Sequence, residues 1–511
     1  MNFKSSYVSF SDGVRIRKEC FGGIVFDKDT GTIIDVDREA YILLSLIQEA
    51  GIVDVNDLGK LQLHLNGKRS NTNSVNHIIT KLIDVGIFKI MPQGLLGENY
   101  YKKLYEMDKH KIRWPSIQDI SAPETVHWAV TFKCDANCPD CYIQRHKYQF
   151  NADLDTAQAL KIIDKIAGAG VFQLAIGGGE PFIRKDIDLI VEKAWKGGLV
   201  VHITTGKYHH EDGVLRRISK FVKNIQTGIK HQELIANPEE EKAKLAGLVN
   251  NFDELGIDAG ANLILSHSSL SEFERIIESL SIAGFKRITL LRYKPPGQIS
   301  QWMKEKPDKE ALLKFEQRIQ RTIKLFPHIK FRVDCGLTFL QRSLPSQEAL
   351  YSGIRGCVAA SRIASVAPDG SVFPCSQLVG DKFYAGNLLE DDLKNIWTES
   401  KVLKRYRNFR SGKSFKNSEC GRCSAKTHCG GCRVLAEDAI GADLGCPDPL
   451  PLPSKKSKNR YNEPYDVILD IQESIGFTGG GFPYATYEEI KGWLDEESHR
   501  DYPKWLLKTI R

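Results

Sequence analysis

The sequence predicts an α/β protein whose centre is a partial (β/α)6 barrel of the TIM type, with a smaller α+β domain before it and a cysteine-rich domain after it. Between about residues 124 and 330, apolar strand-like runs alternate with amphipathic helical segments. The cysteines form two groups, one near the start of that region and one beyond its end. A length of 511 residues is enough for about three domains that each bury a core.

The composition is that of a globular protein with an ordinary surface, since 41% of residues are hydrophobic and 26% are charged. No run approaches the roughly twenty apolar residues of a membrane span, and the first residues do not resemble a signal peptide, so we expect a cytoplasmic protein without a membrane partner. The net charge is +7, and the Lys and Arg residues are interspersed with acidic residues along the chain. The absence of a basic stripe in the sequence argues against a nucleic-acid partner. Twelve cysteines in a cytoplasmic chain indicate metal binding or catalysis rather than disulfides.

Residues 1–95 are predicted to form the first domain. Runs at Val14–Lys18, Gly22–Phe26 and Thr32–Asp35 indicate three strands, the last two joined by a polar hairpin loop that ends in glycine. Asp37 can cap a helix with an apolar face, and Gly86 can end a later helix. This domain shows no nucleophile, acid pair or metal cluster, so we expect a binding module; a winged-helix interaction or dimerisation domain fits the same pattern.

A charged linker over residues 96–123 leads to the predicted barrel, residues 124–330. The strand candidates are Val126–Phe132, Phe172–Ile176, Leu199–Thr204, Phe221–Thr227, Ala259–Leu265 and Arg287–Arg292. The helical candidates are Ala157–Ala167, Ile187–Trp195, Glu239–Leu255, Leu270–Ala283 and Lys309–Leu325. In such barrels the chemistry lies at the carboxyl ends of the strands.

Directly after the first strand, Cys134, Cys138 and Cys141 have the spacing C-x3-C-x2-C. Three thiolates on one short loop can hold three irons of a [4Fe–4S] cluster, whereas a complete cysteine set has a fourth. One iron is then left for a ligand that is not protein. Because C-x2-C pairs also suit zinc, spacing alone leaves that alternative open.

The triplet follows an apolar strand and precedes an aromatic residue and a helix, and this position resembles the radical S-adenosylmethionine (SAM) superfamily. In that family the open iron chelates the amino and carboxylate groups of SAM, and an electron from the cluster cleaves SAM to methionine and a 5′-deoxyadenosyl radical. The second strand ends in Gly177-Gly-Gly-Glu-Pro181. Alone this is an ordinary glycine-rich turn, but it matches the Gly-Gly-Glu-Pro motif of the family. The resemblance therefore implies that Gly178, Gly179 and Glu180 bind the amino group of SAM.

The resemblance implies further SAM contacts near the ends of other strands. Tyr142 is the aromatic residue after the third cysteine, and Thr205 lies in a loose match to the Thr-Asn-Gly of the family. Gln226 or Thr227 stands where the family usually has a serine near the ribose and carboxylate. Asn262 is a polar candidate on the fifth strand.

The second group of cysteines lies in residues 331–450, which we expect to form a separate domain. The order C…G-x4-C…C-x2-C-x5-C…C…C comprises Cys357, Cys375, Cys420, Cys423, Cys429, Cys432 and Cys446. Seven cysteines are too many for one tetrahedral site and suit two, and zinc is again an alternative. The order resembles the SPASM extension of radical SAM peptide and protein maturases, although the usual three-residue interval before the sixth cysteine is two residues here.

The SPASM resemblance implies two auxiliary [4Fe–4S] clusters, and hence three clusters in all. The implied ligands are Cys357, Cys375 and Cys432 for the first and Cys420, Cys423, Cys429 and Cys446 for the second. The fourth position of the first cluster is then either Cys335 or open. Cys335 is alternatively a buried thiol or a catalytic hydrogen donor, whereas an open iron could bind a substrate thiolate.

Residues 451–511 follow a linker rich in proline, serine and lysine, which marks a boundary. Two segments, Tyr465–Glu473 and Tyr487–Leu494, are predicted to be helical. Between them, Phe477–Pro483 is rich in glycine but lacks the Lys-Ser/Thr of a phosphate-binding loop. We expect a lid or a packing appendage.

The first domain, with Phe21-Gly22 and its Asp-x-x-Thr-Gly hairpin, resembles the PqqD-like domain that binds the leader of a ribosomally made precursor peptide by strand addition. Together the resemblances imply a radical SAM/SPASM enzyme that modifies such a peptide and receives electrons from a donor such as flavodoxin or ferredoxin. The expected product is an intrapeptide thioether or carbon–carbon crosslink, while epimerisation, oxidation, decarboxylation and backbone excision begin with the same radical. The alternatives are a maturase of a larger protein, of the sulfatase or quinoprotein type, and a zinc-binding adaptor.

Overall fold

The computed structural model describes residues 7–29, 31–55, 79–80, 82–84, 86–92, 115, 119–145, 153–296, 299–307, 309–341, 354–438 and 481–483. Described residues up to Ser121 belong to one compact unit, and those from Ala122 onward belong to a second. Most of the predicted linker, the two predicted helices of the last sixty residues and Cys446 lie outside the described residues. Within the described part of the chain, no helix is both long enough and apolar enough to cross a membrane.

The first unit contains two antiparallel three-stranded sheets. Its strands are β1 (Tyr7–Phe10), β2 (Val14–Glu19), β3 (Gly22–Asp27), β4 (Ile33–Asp37), β5 (Ile52–Asp54) and β6 (Phe88–Met91). The sheet of order β2-β3-β4 confirms the three predicted strands. The sequence does not predict the sheet of order β5-β1-β6, because strands of three or four residues carry too little alternation to be recognised.

Helix α1 (Arg38–Ala50) begins at the predicted cap, since the Asp37 carboxylate accepts a hydrogen bond from the Ala40 N–H at 3.0 Å. Gly51, with a φ of 80°, ends the helix because a left-handed conformation there suits glycine. The predicted apolar face is buried with side chains of β3 and β4 in one hydrophobic core. Burial of this kind stabilises the unit by about 1.5–3 kcal/mol for each large aliphatic side chain.

The second unit contains the predicted barrel strands in one long sheet. They are β7 (Thr125–Thr131), β8 (Gln173–Gly178), β9 (Val200–Thr205), β10 (Val222–Gly228), β11 (Asp258–Leu265) and β12 (Arg287–Arg292), followed by β13 (Lys330–Asp334), β14 (Ile363–Val366), β15 (Ser371–Phe373), β16 (Gly386–Asn387) and β17 (Gly481–Pro483). Their order is β16-β15-β14-β7-β8-β9-β10-β11-β12-β13-β17. Neighbouring strands from β14 through β7 to β13 pair in parallel.

Helices follow the parallel strands, as the alternating pattern predicts. They are α2 (Thr156–Gly168), α3 (Ile187–Lys196), α4 (Asp212–Ile218), α5 (His231–Ala236), α6 (Pro238–Glu254), α7 (His267–Ser271), α8 (Phe273–Ile282), α9 (Ile299–Glu305) and α10 (Lys309–Leu325). The cysteine-rich region carries α11 (Leu393–Glu399), α12 (Lys401–Arg407), α13 (Lys413–Asn417), α14 (Glu419–Arg422) and α15 (Arg433–Asp438).

The six predicted barrel strands are confirmed within two residues at each end, but the parallel sheet is larger than predicted. Strand β13 adds beside β12 and β14 adds beside β7, both in parallel. The boundary predicted between residues 330 and 331 therefore falls inside a strand of this sheet. The chain that leads to Cys335 is part of the barrel sheet and not of a separate domain.

One predicted helix is corrected, and two short helices are present that the sequence does not predict. The segment Leu270–Ala283 is two helices, α7 and α8, because Glu272 between them has φ −104° and ψ 20°, outside the helical region. Helices α4 and α5 have seven and six residues, too few for a clear helical period, and the sequence does not predict them.

Side chains of the central strands divide into an apolar face and a polar face. Ile203 and Ile225 pair with each other and are fully buried, as expected for the face covered by helices. On the opposite face His202 pairs with Asn224, and both are buried. The barrel interior is therefore polar, which leaves room and hydrogen-bonding groups for a polar ligand near the strand ends.

Candidate active site

The first cysteine loop lies between β7 and a short 3-10 helix, Tyr142–Arg145. Cys134 is exposed, whereas Cys138 and Cys141 are half-buried. The Cys141 N–H donates to the Cys138 carbonyl at 3.2 Å, which closes a turn between the second and third cysteines. A ligand on this loop can therefore be reached from solvent on the side of Cys134.

An ion pair fixes the loop to the end of β9. Lys207 Nζ lies 2.7 Å from the Asp135 carboxylate, and this contact lowers the pKa of Asp135. Behind the loop, Thr131 Oγ1 accepts from the Lys133 N–H and donates to Asp153, both at 3.0 Å. Side-chain contacts at Asp135 and at Lys133 thus hold the backbone on both sides of Cys134.

The glycine-rich end of β8 packs directly against this backbone. The Gly179 N–H donates to the Thr131 carbonyl at 2.7 Å, and the Glu180 N–H donates to the Lys133 carbonyl at 2.9 Å. A Cβ on Gly178 would lie 2.3 Å from the Thr131 oxygen, and one on Gly179 would lie 2.1 Å from the Lys133 oxygen. Only glycine fits at these two positions, so the motif joins the second strand to the cysteine loop.

Glu180 is 1% exposed and connects β8 to the end of β9. Its carboxylate accepts hydrogen bonds from Thr205 Oγ1 at 3.0 Å, from the Gly206 N–H at 2.9 Å and from the Phe182 N–H at 3.2 Å. Burial raises the pKa of this carboxyl, although these bonds favour its charged form. Thr205 therefore holds the Glu180 carboxylate in position. A ligand ammonium at Glu180 would donate to carboxylate oxygens that already accept hydrogen bonds from the protein.

Gln226 and Asn262 lie near the ends of neighbouring strands on the polar face, since Gln226 pairs with Gly260 and Asn262 pairs with Gly228. Gln226 Oε1 and Asn262 Oδ1 are buried and have no protein partner. Thr227 Oγ1 is also buried without a partner, but strand alternation directs it to the opposite face. Each buried oxygen left unpaired costs about 1–3 kcal/mol. Oxygens of this kind fit a polar ligand such as SAM, whose ammonium and hydroxyl groups donate.

Asp140, between the second and third cysteines, makes contacts that the sequence does not predict. Its carboxylate accepts from the Tyr293 hydroxyl at 3.0 Å, from Gln301 Nε2 at 2.9 Å and from Gln232 Nε2 at 3.4 Å. His231 Nε2 lies 3.8 Å from the same carboxylate. These partners are 91 or more residues away along the chain, so no local sequence pattern predicts the contacts. They fix the cysteine loop to α5 and to the segment after β12.

Tyr142 connects the two cysteine groups. It packs with the cluster of Phe132, Ile143 and Phe373, and its hydroxyl is hydrogen-bonded to Ser376, beside Cys375. Burial raises the pKa of Tyr142 to about 12. The structure therefore places this side chain in a link between the first loop and the second cysteine group.

The second cysteine group is far more buried than the first. Cys357, Cys420, Cys429 and Cys432 are between 2% and 8% exposed. Gly356, with a φ of 62°, lies against Cys429, since a Cβ there would be 2.1 Å from the Cys429 carbonyl oxygen. The loops that carry the two predicted auxiliary ligand sets are thus in direct contact.

Cys335 begins a 3-10 helix, Cys335–Gln341, directly after β13. Burial raises the pKa of the Cys335 thiol well above its usual value, and Asp334, Cys357 and Cys432 raise it further. Burial likewise raises the pKa of Cys375, and Cys357 adds to that shift. Cys335 is therefore a neighbour of the first auxiliary set, and a metal in this pocket would supply the positive charge that these thiolates lack.

Lys294, after β12, forms a buried ion pair with Asp334. Burial alone would lower the pKa of Lys294, but Asp334, Cys432 and Cys335 outweigh it and the pKa is raised. The lysine charge at this edge of the cysteine pocket is thus matched by a carboxylate.

No group of three or more His, Cys, Asp or Glu side chains in the described ranges is arranged to hold a single metal ion. The thiolates of a [4Fe–4S] cluster bind separate irons, one at each corner, so their spacing differs from that of one tetrahedral zinc site. The donor set is all thiolate in both groups, as iron–sulfur clusters require.

Two protein-family models match the chain. The Radical SAM superfamily matches residues 128–298, and the iron-sulfur cluster-binding domain SPASM matches residues 357–424. The first match contains the cysteine loop and the glycine motif, and the second begins at Cys357.

Curated relatives extend over a larger part of the chain. The PqqA peptide cyclase of Methylorubrum extorquens is 25% identical over 389 residues, which cover 71% of this chain and 95% of the relative. The AdoMet-dependent heme synthase of Methanosarcina barkeri is 25% identical over 309 residues, which cover 56% of this chain and 86% of the relative.

The fold is similar to that of SuiB from Streptococcus suis. The structure of SuiB bound to S-adenosylmethionine has a TM-score of 0.63 at 20% identity, with 85% of this chain and 97% of SuiB covered. The structure bound to the precursor peptide SuiA has a TM-score of 0.62 at 19% identity, with coverage of 86% and 98%. Together with the cysteine loop and the glycine motif, the two family matches show that the chain contains a radical SAM domain and a SPASM domain, and these domains imply the cofactors SAM, a SAM-binding [4Fe–4S] cluster and auxiliary iron–sulfur clusters.

Proposed function

We propose that this enzyme modifies a ribosomally synthesised precursor peptide by removing hydrogen from an unactivated carbon of the peptide. The similarity to PqqA peptide cyclase carries the proposal, because it extends over 71% of this chain and 95% of that relative. The fold likeness to SuiB, which binds its precursor peptide, agrees with it. The expected product is an intrapeptide thioether or carbon–carbon crosslink, and other radical modifications of the peptide share the first step.

SAM bound at the open iron supplies a 5′-deoxyadenosyl radical, which breaks a C–H bond that no side-chain acid or base can break near neutral pH. In this proposal Cys134, Cys138 and Cys141 hold the cluster. Gly178 and Gly179 keep the second strand close to the cysteine loop, so that the backbone at Glu180 lies beside the cofactor. Glu180 accepts from the amino group of SAM, and Thr205 and Gly206 hold its carboxylate in place.

Gln226 and Asn262 are proposed to accept from the ribose and amino groups, because their unpaired oxygens share the polar face of the barrel. Thr227 remains a proposed contact through its own unpaired hydroxyl. Tyr142 is proposed to act by packing, since its hydroxyl is directed to Ser376 rather than to the glycine motif.

Cys335 is proposed as the fourth ligand of the first auxiliary cluster, with Cys357, Cys375 and Cys432. This ligand set is supported by the thiols' effects on one another, since Cys357 and Cys432 raise the pKa of Cys335 and Cys357 raises the pKa of Cys375. A cluster with four cysteine ligands has no open iron for a substrate thiolate, so we expect it to accept electrons only. Cys420, Cys423 and Cys429 are proposed to bind the second auxiliary cluster together with Cys446.

The first unit is proposed to bind the leader of the precursor in the manner of a PqqD-like domain. Within the part of the chain that the structure describes, β2 and β4 are the outer strands of a three-stranded antiparallel sheet, and strand addition by an extended peptide takes place at an outer strand. The wider proposal includes a cytoplasmic location, without nucleic-acid or membrane partners, and an electron donor of the flavodoxin or ferredoxin type.

The test uses the full-length, cluster-loaded enzyme with a candidate precursor, the same peptide without its leader, and the peptide with a scrambled leader. We expect a mass change only in the core of the intact precursor, and at least about tenfold weaker binding of the other two peptides, which corresponds to about 1.4 kcal/mol. Equal binding of all three peptides would contradict the leader-binding role. Cleavage of SAM without a change in any peptide would contradict the peptide substrate.

A further inference from the structure

Arg410 lies in the wall shared by the two auxiliary ligand sets. It belongs to the 3-10 helix Phe409–Ser411, and its guanidinium donates hydrogen bonds to backbone carbonyls of both cysteine loops. Nε donates to the Lys426 carbonyl at 3.0 Å, and Nη2 donates to the Arg355 carbonyl at 3.0 Å and to the Cys429 carbonyl. One side chain thus connects the loop before Cys357 to the loop that carries Cys429.

Gly430 and the ring of Phe409 pack closely against Arg410. A Cβ on Gly430 would lie 3.0 Å from Arg410 Nε, so this glycine, with a φ of 84°, is required for the approach. The guanidinium stacks 4.4 Å from the centre of the Phe409 ring, and Arg433, which is fully buried, stacks on the same ring at 4.3 Å. Two positive charges therefore lie beside the buried cysteines.

Arg410 differs from Lys294, another cation near the buried cysteines. Lys294 is paired with the buried carboxylate of Asp334. Among the residues that the structure describes, Arg410 has carbonyl partners and no carboxylate partner. Burial lowers the pKa of Arg410, whereas Cys357, Cys429 and Cys420, from both ligand sets, raise it.

Arg410 is half-buried, and a partly desolvated cation without a carboxylate partner is unfavourable unless another negative charge lies nearby, because moving an ion out of water costs free energy. Clusters ligated by cysteine thiolates supply such a charge, and each gains one more negative charge when it is reduced. A cation held between two clusters therefore stabilises the reduced form of both, and the effect is large because the surroundings are buried.

We propose that Arg410 is a positioning residue that supplies one positive charge to both auxiliary clusters and thereby raises the reduction potential of each. This inference rests on the proposed function only in that both ligand sets hold [4Fe–4S] clusters. On reduction each cluster takes up one electron, from the donor or from the substrate during product formation, and no proton transfer to Arg410 is required. Loss of the charge should make both clusters harder to reduce.

The test compares Arg410→Gln and Arg410→Lys in the full-length, cluster-loaded enzyme by redox titration followed with electron paramagnetic resonance. A variant with alanine at Cys134, Cys138 and Cys141 identifies the signal of the first cluster. For Arg410→Gln we expect the reduced-to-oxidised ratio of both auxiliary clusters at a fixed potential to fall at least about tenfold, which is a shift of 59 mV for a one-electron couple. Arg410→Lys keeps the charge and should stay within about threefold of wild type.

Arg407→Gln is the matched control, because Arg407 also donates to two carbonyls, those of Ala360 and Trp397, and stacks on an aromatic ring. It should leave both potentials unchanged. Wild-type potentials in an Arg410→Gln protein with full iron content would overturn the proposal, as would a shift confined to one cluster. If Arg410→Gln binds less iron, Arg410→Lys decides: equal iron loss overturns the role of the charge, and full iron with wild-type potentials supports it.

The proposed function fails in a different way. A wild-type protein that shows no reducible auxiliary cluster would contradict the assignment of the ligand sets, whatever the Arg410 variants do.

Discussion

The two cysteine groups differ in how far solvent reaches them. In the first, Cys134 is exposed and its loop directly follows β7, in contact with the ends of β8 and β9. In the second, four cysteines are at most 8% exposed, and their loops are bridged by Arg410. Chemistry on a bound molecule needs access, whereas electron transfer needs only proximity and a tuned potential. The comparison therefore supports the proposal that the first group takes part in SAM cleavage and that the second stores electrons.

The largest effect is expected from a substitution in the exposed cysteine group. Cys134→Ala removes a thiolate from the three-cysteine loop, and we expect reductive SAM cleavage to fall by more than about 100-fold, beyond the effect of losing a residue that only supports a ligand. The measurement is 5′-deoxyadenosine formed per cluster-loaded protein. Cys20→Ala is the control, because Cys20 lies in the first unit, outside both groups. Cleavage near the wild-type rate in Cys134→Ala would refute the assignment.

Substitution in the buried group should separate SAM cleavage from product formation. In Cys420→Ala the first cluster keeps all three of its cysteines, so SAM cleavage should persist at a reduced rate while the modified peptide is lost. The two products are measured in the same reaction by chromatography and mass spectrometry. Wild-type amounts of modified peptide in this variant would contradict a role for the second auxiliary cluster in product formation.

A smaller effect is expected from the residue that holds Glu180. Thr205→Val removes the hydroxyl that donates to the buried carboxylate. The loss of a hydrogen bond to a buried charged group costs about 1–3 kcal/mol, and we expect SAM affinity to fall about 10–100-fold. Thr322→Val, which removes a buried hydroxyl that donates to the Arg318 carbonyl within α10, is the control and should bind SAM like wild type. Equal affinities for the two variants would show that Glu180 does not contribute through Thr205.

The last prediction concerns the stability of the polar interior of the barrel and not catalysis. Burial lowers the pKa of His202 from 6.5 to about 3, so the folded protein keeps this ring neutral at a pH at which the unfolded chain binds a proton. Stability is therefore present above pH 6.5 and is lost as the pH falls from 6.5 toward about 3, by about 1.4 kcal/mol per pH unit. His202→Leu should flatten this part of the stability curve in urea unfolding. His267→Leu, at an exposed position, should not, and equal slopes in both variants would contradict a neutral buried His202.

The exposed group could be predicted from the sequence almost completely, and the reason is local. Cys134, Cys138 and Cys141 lie on one loop, and Gly179 is a glycine because a Cβ would collide with the Lys133 carbonyl. Strand alternation and helical periodicity likewise predict β7 to β12, because both are properties of short segments.

The buried group could be predicted only as a set of cysteines. The position of Cys335 beside Cys357 and Cys432 depends on β13 joining the barrel sheet, which is a pairing between distant segments. No sequence pattern distinguishes Arg410 from other basic residues. Asp140 accepts hydrogen bonds from Tyr293 and Gln301, which come close to it only in the folded barrel. Contacts of this kind follow from topology and not from spacing.

The most direct test of the central claim is a single anaerobic reaction that contains the cluster-loaded enzyme, SAM, a reductant and the candidate precursor peptide. The account predicts that methionine and 5′-deoxyadenosine form together with a mass change in the core of the peptide, and that deuterium placed at the modified carbon appears in 5′-deoxyadenosine. Peptide modification without deuterium in 5′-deoxyadenosine, or no SAM cleavage by an enzyme with full iron content, would contradict it.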